Sequence, residues 1–409
     1  MNYPHLQGLR VIESSAFIAA PLAGLTLAQF GAEVIRVDMI GGGIDYARMP
    51  TAASGRSLYW TGLNKDKKSI AVDIRKPEGR ELVQQLAAAP GPQGGVLLTN
   101  IGTPWLSHTV LAGLRQDVIT CTIEGNNDGG TAVDYTVNCA TGYPHGTGSD
   151  TEPVNSVFPG WDFACAYQAA FAITAAYLRR MQCGAGAELR LALSDVAFSA
   201  LSHMGVMTEA ELFKRDRPPI GNHIYGAFGH DFPTADGRRV MVAGISAGQW
   251  RSLVKTCAIE PQIAALEQAH ACDLSREEDR FAHREALVAM LAPWFASRSF
   301  AAAGAALDAG KVCWGPYRTV TQLLAEDQRV GAANPIYERI ATPGIGTHWA
   351  AGTPVRDVGQ TRGQTQPARL LGQDTDEVLS RVLGMSDPQI GQLHDLGVVA
   401  GAERDPTTR

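Results

Sequence analysis

The first 125 residues alternate between short apolar runs, typical of buried strands, and longer segments whose apolar residues recur at helical spacing. We predict strands at Leu9–Ser14, Ala32–Asp38, Ser69–Ile74, Gly95–Thr99 and Val118–Ile123, with helices at Pro21–Phe30 and Pro77–Ala89. Strand–helix–strand units this compact force their strands to pair in parallel. The pattern therefore predicts an α/β fold built on a doubly wound sheet that is covered on both faces.

The character of the chain changes near residue 215. Before it, Trp161–Met181 reads as a long helix, apolar almost all round, which is typical of a buried element. After it come a hairpin pattern around Asp236-Gly237 and further helices. We predict a large domain over 1–214, a small α+β domain over 215–325, and a return segment over 326–409 whose helices pack on the large domain. We expect 341–354 to be irregular.

Composition excludes several classes of function. The net charge is −6 without a long basic run, which argues against nucleic acid and against an anionic membrane surface. No apolar run reaches the roughly 18 residues that a membrane helix needs, and the N-terminal residues do not resemble a leader, so we expect a cytoplasmic protein. The seven cysteines and ten histidines show no CxxC or HExxH spacing, so we expect no metal.

Three segments could meet phosphate groups. Gly41–Gly43 and Gly244–Gly248 lack the spacing of a dinucleotide loop, and the first is read as a flexible turn. The third segment places several cations around one strand: Lys65, Lys67, Lys68, Arg75 and Lys76. Such a cluster suits a ligand with several phosphates, but solvated surface lysines would give the same pattern.

Asp162 stands directly after Pro159-Gly160, at the predicted start of the long helix. An aspartate in this place often caps its own helix. The same place also suits a nucleophile, because the positive end of the helix favours a carboxylate and a nearby oxyanion. Asp134 is a second, weaker candidate, for which a role as an ordinary loop aspartate is the alternative.

Longer stretches of the sequence are recognisable. The segments GLRVIESSAFIAAPLAGLTLAQFGAEVIRVD, SLYWTGLNKDKKSIAVDIRKPEGRELV and LLTNIG, together with the ending LLGQDTDEVLSRVLGMSDPQIGQLHDLGVV, resemble the family III CoA-transferases. The resemblance implies a CoA thioester substrate, no cofactor, a Rossmann-like large domain with a smaller domain, and an interlocked homodimer. The family's nucleophilic aspartate precedes the long helix, here GWDFACAYQAA, and so falls on Asp162.

The same resemblance implies a CoA site. By motif matching it falls on Phe17, Ile18, Ala19, Arg36, Val72, Arg75, Asn100 and Tyr135, to which the basic cluster adds Lys65. Gly244–Gly248 is a candidate lid, and Asn222, His223 and Tyr225 are candidates for holding the acyl group, with loop packing as the alternative. The formyl-transferring branch of the family has a glutamine where Ile18 stands, which argues against formyl-CoA and oxalate.

IGGGIDY, VDYTVN and NHIYGAFGHDF look like the branch that moves CoA between the two carboxyl groups of one dicarboxylic acid. Transfer between an acyl-CoA and a separate acid is an alternative. A nucleotide-binding oxidoreductase is another, although GxGxxG is absent after Ile12 and Val37. A catalytically silent CoA-binding protein is the third.

Overall fold

A computed structural model describes residues 3–149 and 151–408, so that Met1, Asn2, Asp150 and Arg409 lie outside the described part. The chain divides into two compact units. The first comprises 1–141, 157–208 and 328–409, and the second comprises 142–156 and 209–327. These boundaries lie near the predicted 214/215 and 325/326. The assignment of 142–156 to the second unit was not predicted.

The strands are short and most of them carry β-branched or aromatic residues. They are β1 (Arg10–Ser14), β2 (Glu33–Asp38), β3 (Lys68–Val72), β4 (Val96–Thr99), β5 (Ile119–Glu124), β6 (Ala187–Ala192), β7 (Phe228–Pro233), β8 (Arg239–Gly244), β9 (Cys313–Pro316), β10 (Tyr337–Thr342), β11 (Gly346–Ala351) and β12 (Val399–Ala400). Strands β10 and β11 form an antiparallel hairpin. The expectation that 341–354 is irregular is therefore wrong for most of that segment.

Several helices begin where the sequence offers a capping residue or proline, as at Ser57, Pro77 and Ser246. They are α1 (Ala19–Gln29), α2 (Leu58–Leu63), α3 (Pro77–Ala87), α4 (His108–Leu114), α5 (Asp134–Ala140), α6 (Tyr143–Thr147), α7 (Gly160–Cys183), α8 (Leu193–His203), α9 (Val206–Phe213), α10 (Ala247–Cys257), α11 (Glu260–His270), α12 (Glu277–Ala282), α13 (Arg284–Ala296), α14 (Phe300–Ala309), α15 (Val320–Glu326), α16 (Thr375–Leu383) and α17 (Asp387–Asp395). Among the described helices no single one is long and apolar enough to cross a membrane, and α13 and α14 pass that test only as a pair bent by 116°.

The first unit is built on a seven-stranded sheet of order β12-β3-β2-β1-β4-β5-β6. All neighbours pair in parallel except β12, which runs antiparallel to β3. The order of the six parallel strands is that of dinucleotide-binding sheets, with the topological switch between β1 and β4. The predicted α/β fold with a mostly parallel sheet is confirmed.

Alternate residues of the strands supply two hydrophobic cores, one on each face of the sheet. Val11, Val34 and Leu98 pack with helices α1, α7 and α8 on one face. Ile12 and Ile35 pack with α3, α16 and α17 on the other. The C-terminal helices α16 and α17 thus contribute to a core of the first unit.

Helix α7 is less enclosed than its composition predicts. Its small residues, such as Ala166 and Ala169, are fully buried against the sheet, but Phe171 is 70% exposed and Met181 is 69% exposed. We predicted a helix that is buried on all sides, and this is wrong for the single chain. Only one face of α7 packs against other described residues.

The second unit has its own core. The antiparallel sheet β7-β8-β9 packs against helices α10 and α13, and Phe228, Trp250, Leu291 and Phe295 are buried in that core. The predicted α+β character of this segment is present in the described residues.

A buried charge cluster lies beneath the end of β1. Glu13 has no solvent exposure and pairs with Arg36 Nη1 at 3.1 Å and with Lys67 Nζ at 2.9 Å. Helix α1 crosses so closely above it that a Cβ on Gly24 would lie 1.7 Å from Glu13 Oε2. Only glycine leaves room for this carboxylate.

Gly24→Ala is therefore expected to lower the free energy of unfolding by about 1–3 kcal/mol, since Glu13 is held by its partners and cannot move without cost. Urea denaturation followed by circular dichroism measures it. Gly113→Ala in α4 is the control, because a Cβ there meets nothing within 4 Å, and alanine should stabilise that helix by up to about 1 kcal/mol. Equal or higher stability of Gly24→Ala would contradict the packing argument.

Candidate active site

A cavity of about 520 Å³ opens at the carboxyl ends of the parallel strands of the first unit. Residues that follow or end β1, β4, β5 and β6 line it: Phe17, Ile18, Ala19, Asn100, Ile123, Glu124, Gly125 and Leu193. The other lining residues are Arg48, Tyr59, Ala132, Val133, Asp134, Tyr135, Pro159 and Asp162. Ligands of open α/β sheets bind at this edge, beside the topological switch point.

The turn after β1 is held in an uncommon conformation. Phe17 has a φ of 64°, which non-glycine residues rarely adopt. Its N–H donates to Asp45 Oδ2 at 2.8 Å, while Asn100 accepts from the Ala16 N–H at 2.9 Å and donates to the Ala16 carbonyl at 2.7 Å. Such backbone strain persists only where the surroundings hold it, and it clusters at functional sites. Here it places Phe17 and Ile18 in the wall of the cavity.

Asp162 lies in the first turn of α7, and it does not cap that helix. The N–H groups of Trp161 and Asp162 both donate to Asp134 Oδ2, at 2.7 Å and 3.0 Å. Asp134 is the first residue of α5 and thus serves as the cap of α7 from another element. The structure shows no hydrogen bond or ion pair from the Asp162 carboxylate to any described residue, which leaves it available at the cavity wall.

The surroundings make Asp162 a weaker acid. Burial, with a further contribution from the negative charge of Asp134, raises the pKa of the Asp162 carboxyl to about 7. Burial also raises the pKa of Asp134, against the opposing effect of the two backbone N–H donors. A carboxyl group whose pKa lies near neutrality in a cleft is typical of functional sites.

Tyr59 and Arg48 also face this cavity, and we did not predict either from the sequence. Burial raises the pKa of Tyr59 to about 12; Arg48 opposes this shift and Asp162 adds to it. The phenol therefore stays protonated and can donate a hydrogen bond. Arg48 lies in a loop outside the recognisable segments, and only its position after β2 could have indicated it. Tyr59 lies in α2, within the recognisable segment SLYWTGLNKDKK, and that segment was the signal that could have pointed to it.

The predicted CoA residues separate into two groups. Phe17, Ile18, Ala19, Asn100 and Tyr135 line the cavity, whereas Arg36, Val72, Lys65 and Arg75 are not among its lining residues. Val72 has no solvent exposure and lies in the strand core, so its side chain cannot contact a ligand. Arg36 is 1% exposed and ion-paired to Asp38 at 2.9 Å, so the structure gives it a structural role instead of a ligand contact.

The basic cluster is likewise divided. Lys67 is buried and paired with Glu13. It is therefore neither a phosphate contact nor a solvated surface lysine, and both predictions for this residue are wrong. Lys68 pairs with Glu33 at 3.2 Å, and Lys65 donates to the Ala351 carbonyl at 3.2 Å. The Arg75 side chain is 76% exposed and pairs with Asp73 at 2.8 Å. Arg75 and the half-buried Lys65 remain predicted CoA contacts.

The residues predicted for the lid and the acyl group all belong to the second unit. Asn222 donates to Asp231 at 2.8 Å, His223 stacks on His230 at 4.3 Å between ring centroids, and Tyr225 donates to Glu209. These contacts match the loop-packing alternative. Gly244 ends β8 and Gly248 lies in α10, whose N-terminus is capped by Ser246. Only Ile245 and Ser246 connect the strand to the helix. Their role as a lid stays a prediction.

In the described part of the chain no group of three or more His, Cys, Asp and Glu side chains is placed to hold a metal ion. The polar groups of the cavity are instead carboxyl, amide, phenol and guanidinium groups. Asp162, Tyr59 and Arg48 thus bring a carboxyl group, a protonated phenol and a guanidinium to one cavity at the switch point of an α/β sheet.

Comparison with known proteins identifies the family. The sequence model of CoA-transferase family III matches residues 6–375, and the chain belongs to that family. It is 44% identical to a 2-methylfumaryl-CoA isomerase of Chloroflexus aurantiacus, over 98% of both chains. It is also 26% identical to the human succinyl-CoA:glutarate CoA-transferase, over 97% of this chain and 90% of that protein. The chain is accordingly an enzyme of the CoA-transferase type.

A solved structure supports the fold. The CAIB/BAIF family protein from Brucella suis superimposes with a TM-score of 0.75, covering 93% of this chain and 100% of that one at 24% identity. The predicted family is therefore confirmed by sequence, and the α/β architecture is confirmed by structural similarity.

Proposed function

We propose that this enzyme moves CoA between the two carboxyl groups of one mesaconate molecule and so converts 2-methylfumaryl-CoA into 3-methylfumaryl-CoA. The observation that carries the proposal is the 44% identity to the Chloroflexus aurantiacus 2-methylfumaryl-CoA isomerase along essentially the whole chain. The human succinyl-CoA:glutarate CoA-transferase, which acts between two different acids by its name, is only 26% identical to this chain. The geometry adds Asp162 at the wall of a cavity, with a carboxylate that has no hydrogen-bond or ion-pair partner among the described residues.

The chemistry assigned to Asp162 is nucleophilic. Its carboxylate attacks the thioester carbonyl, the C–S bond breaks, and a mixed anhydride and CoA thiolate result. The thiolate then attacks the aspartyl carbonyl, which breaks the anhydride C–O bond and leaves an aspartyl-CoA thioester and free mesaconate. The opposite carboxylate of mesaconate attacks that thioester, and the thiolate returns to the mesaconyl carbonyl of the new anhydride. Asp162 is regenerated, and one difficult transfer is divided into several easier ones.

The environment of Asp162 should make the rate of the reaction depend on pH. Only the carboxylate attacks, and the pKa of this group is raised to about 7, so kcat/KM should rise with pH and level off above about 7, falling about tenfold per pH unit below it. Asp134→Asn removes one negative charge and keeps an oxygen that can accept the two N–H bonds. The acidic limb of its profile should therefore shift to lower pH.

Steady-state rates between pH 5 and 9, in buffers of constant ionic strength, measure both profiles. Asn127→Ala serves as the control, because this exposed residue, whose side chain donates to Asp195, does not line the cavity. A wild-type profile that is flat down to pH 5, or an Asp134→Asn limb displaced upwards, would contradict this electrostatic account.

The exposed apolar face of α7 supports a homodimer. Tyr167, Phe171, Leu178 and Met181 are each at least 49% exposed on this helix in the single chain, and patches of this kind mark protein interfaces. We propose that a second copy covers them, in agreement with the interlocked dimer that the family resemblance implies. Phe171→Glu should produce monomer or aggregate in light scattering, whereas an unchanged dimer would place the interface elsewhere.

The function itself is tested by incubating the purified enzyme with 2-methylfumaryl-CoA and no added acid. Chromatography should show conversion to 3-methylfumaryl-CoA. Dependence of conversion on an added carboxylic acid would instead favour an intermolecular transferase of the same family.

A further inference from the structure

Arg48 supplies the positive charge of the cavity. Of the lining residues, Glu124, Asp134 and Asp162 carry carboxyl groups, and Arg48 is the one basic side chain among the described residues that line it. The Arg190 guanidinium pairs with Glu124, which leaves Asp134 and Asp162 as the acidic groups nearest the reacting position. The cavity is therefore rich in negative charge and has a single cation to offset it.

The guanidinium of Arg48 is held in place without an acidic partner. It lies over the ring of Tyr59 at 5.2 Å and over the ring of Phe17 at 5.6 Å from the centroids. These stacking contacts fix its direction and leave its N–H groups free. No ion pair joins Arg48 to a described carboxylate, whereas Arg36, Arg75 and Arg190 in the same unit each have one.

The backbone of Arg48 is also fixed. Its N–H donates to the Asp45 carbonyl at 3.1 Å, and its own carbonyl accepts from the Ser57 hydroxyl at 2.5 Å. Asp45 is the residue whose carboxylate also accepts from the N–H of Phe17. One aspartate thus links the strained turn of Phe17 to the segment that presents Arg48, so both cavity walls are positioned together.

A dicarboxylic acyl group needs such a cation. Its free carboxylate would enter a cavity that already holds Asp134 and Asp162, and an uncompensated charge there is costly. We propose that Arg48 binds this free carboxylate through its guanidinium fork and so selects acyl groups that carry a second carboxyl group. This inference rests on the proposed function, since it names the residue that recognises the acyl end of that substrate.

The same contact serves both halves of the reaction. While Asp162 is acylated through one carboxyl group, Arg48 holds the other, and after mesaconate turns round Arg48 holds the first. A planar guanidinium accepts either carboxylate in the same bidentate geometry. The arrangement retains the acid in the cavity between the two steps.

The test measures binding separately from catalysis. In an Asp162→Asn background, which prevents turnover, isothermal titration calorimetry gives Kd for 2-methylfumaryl-CoA and for 2-methylcrotonyl-CoA, in which a methyl group replaces the free carboxyl. Arg48→Gln should raise Kd for the first ligand about 10- to 100-fold, the loss expected for a charge-assisted contact, and should leave Kd for the second within about threefold. The Kd of Arg48→Lys for 2-methylfumaryl-CoA should lie between that of the parent and that of Arg48→Gln.

Arg251→Gln, an exposed arginine of α10 outside the cavity lining, is the matched control and should change neither Kd. Equal weakening of both ligands by Arg48→Gln would show that Arg48 contacts the CoA portion, and unchanged binding of both would show that it contacts neither; either result overturns the proposal. Because the readout is binding, the two proposals can fail separately. If the wild-type enzyme did not isomerise 2-methylfumaryl-CoA but Arg48→Gln still weakened the binding of this ligand selectively, only the proposed function would be refuted.

Discussion

Replacing Asp162 by alanine or asparagine is expected to lower the turnover of 2-methylfumaryl-CoA by at least about a thousandfold, because the proposed mechanism carries every intermediate on this carboxylate. The fold should persist, since the cap of α7 is provided by Asp134 and since the Asp162 side chain makes no hydrogen bond to a described residue. Asparagine has nearly the same shape as aspartate and lacks its nucleophilic charge. Binding of CoA should therefore change little while kcat collapses.

Asp195→Asn is the matched control for this substitution. Asp195 also lies in the first turn of a helix, α8, but it is exposed and does not line the cavity. Its variant should retain near wild-type turnover. If Asp162→Ala kept more than a tenth of the wild-type rate, Asp162 would not be the nucleophile. A mass spectrum of the wild-type enzyme quenched during turnover should in addition carry CoA on the peptide that contains Asp162.

The sheet could be predicted because its signal is local. The runs that become β1 and β2 are apolar and short, and each is followed by a helix or a turn, so parallel pairing follows from chain geometry alone. The order of the strands is not local. The sequence does not tell which crossover passes to the left or to the right of β1, and that choice places the switch point, and hence the cavity, between β1 and β4.

Charged residues misled the sequence analysis where their partners are distant. Lys67 was predicted from a run of hydrophilic residues, which favours a surface or phosphate-binding role, and Arg36 was predicted from the family resemblance as a CoA contact. Both are buried because Glu13, from another strand, neutralises them. Such pairing joins residues more than twenty positions apart, and no periodicity in the sequence indicates it.

The hairpin β10–β11 and the residue Arg48 were missed for a different reason. The hairpin strands mix polar and small residues with a turn at Pro343-Gly344, so they lack the alternation that predicts a strand. Arg48 follows β2 in a loop, where its relation to Phe17 and Tyr59 arises only from the folded backbone. The position of Asp162 at the start of α7 could be predicted because this helix is long and begins at a recognisable Pro-Gly.

A second prediction with a large expected effect is that mesaconate stays in the cavity between the two CoA-transfer steps. In the proposed mechanism CoA is carried on Asp162 while mesaconate stays in the cavity, where it would attack at an effective concentration that can reach about 10⁵ M or more, far above any free acid in solution. Free mesaconate should therefore be neither required nor readily incorporated, and excess succinate should yield almost no succinyl-CoA. The proposed contact between Arg48 and the free carboxylate would supply the physical means of retention.

The most direct measurement uses unlabelled 2-methylfumaryl-CoA with an excess of ¹³C-labelled mesaconate and follows both CoA regioisomers by mass spectrometry. Our account predicts isomerisation at the full rate with little label in either thioester, because the mesaconate of each cycle stays in the cavity. Label that enters at the rate of isomerisation would show that mesaconate leaves in every cycle, and the enzyme would then be an ordinary intermolecular CoA-transferase.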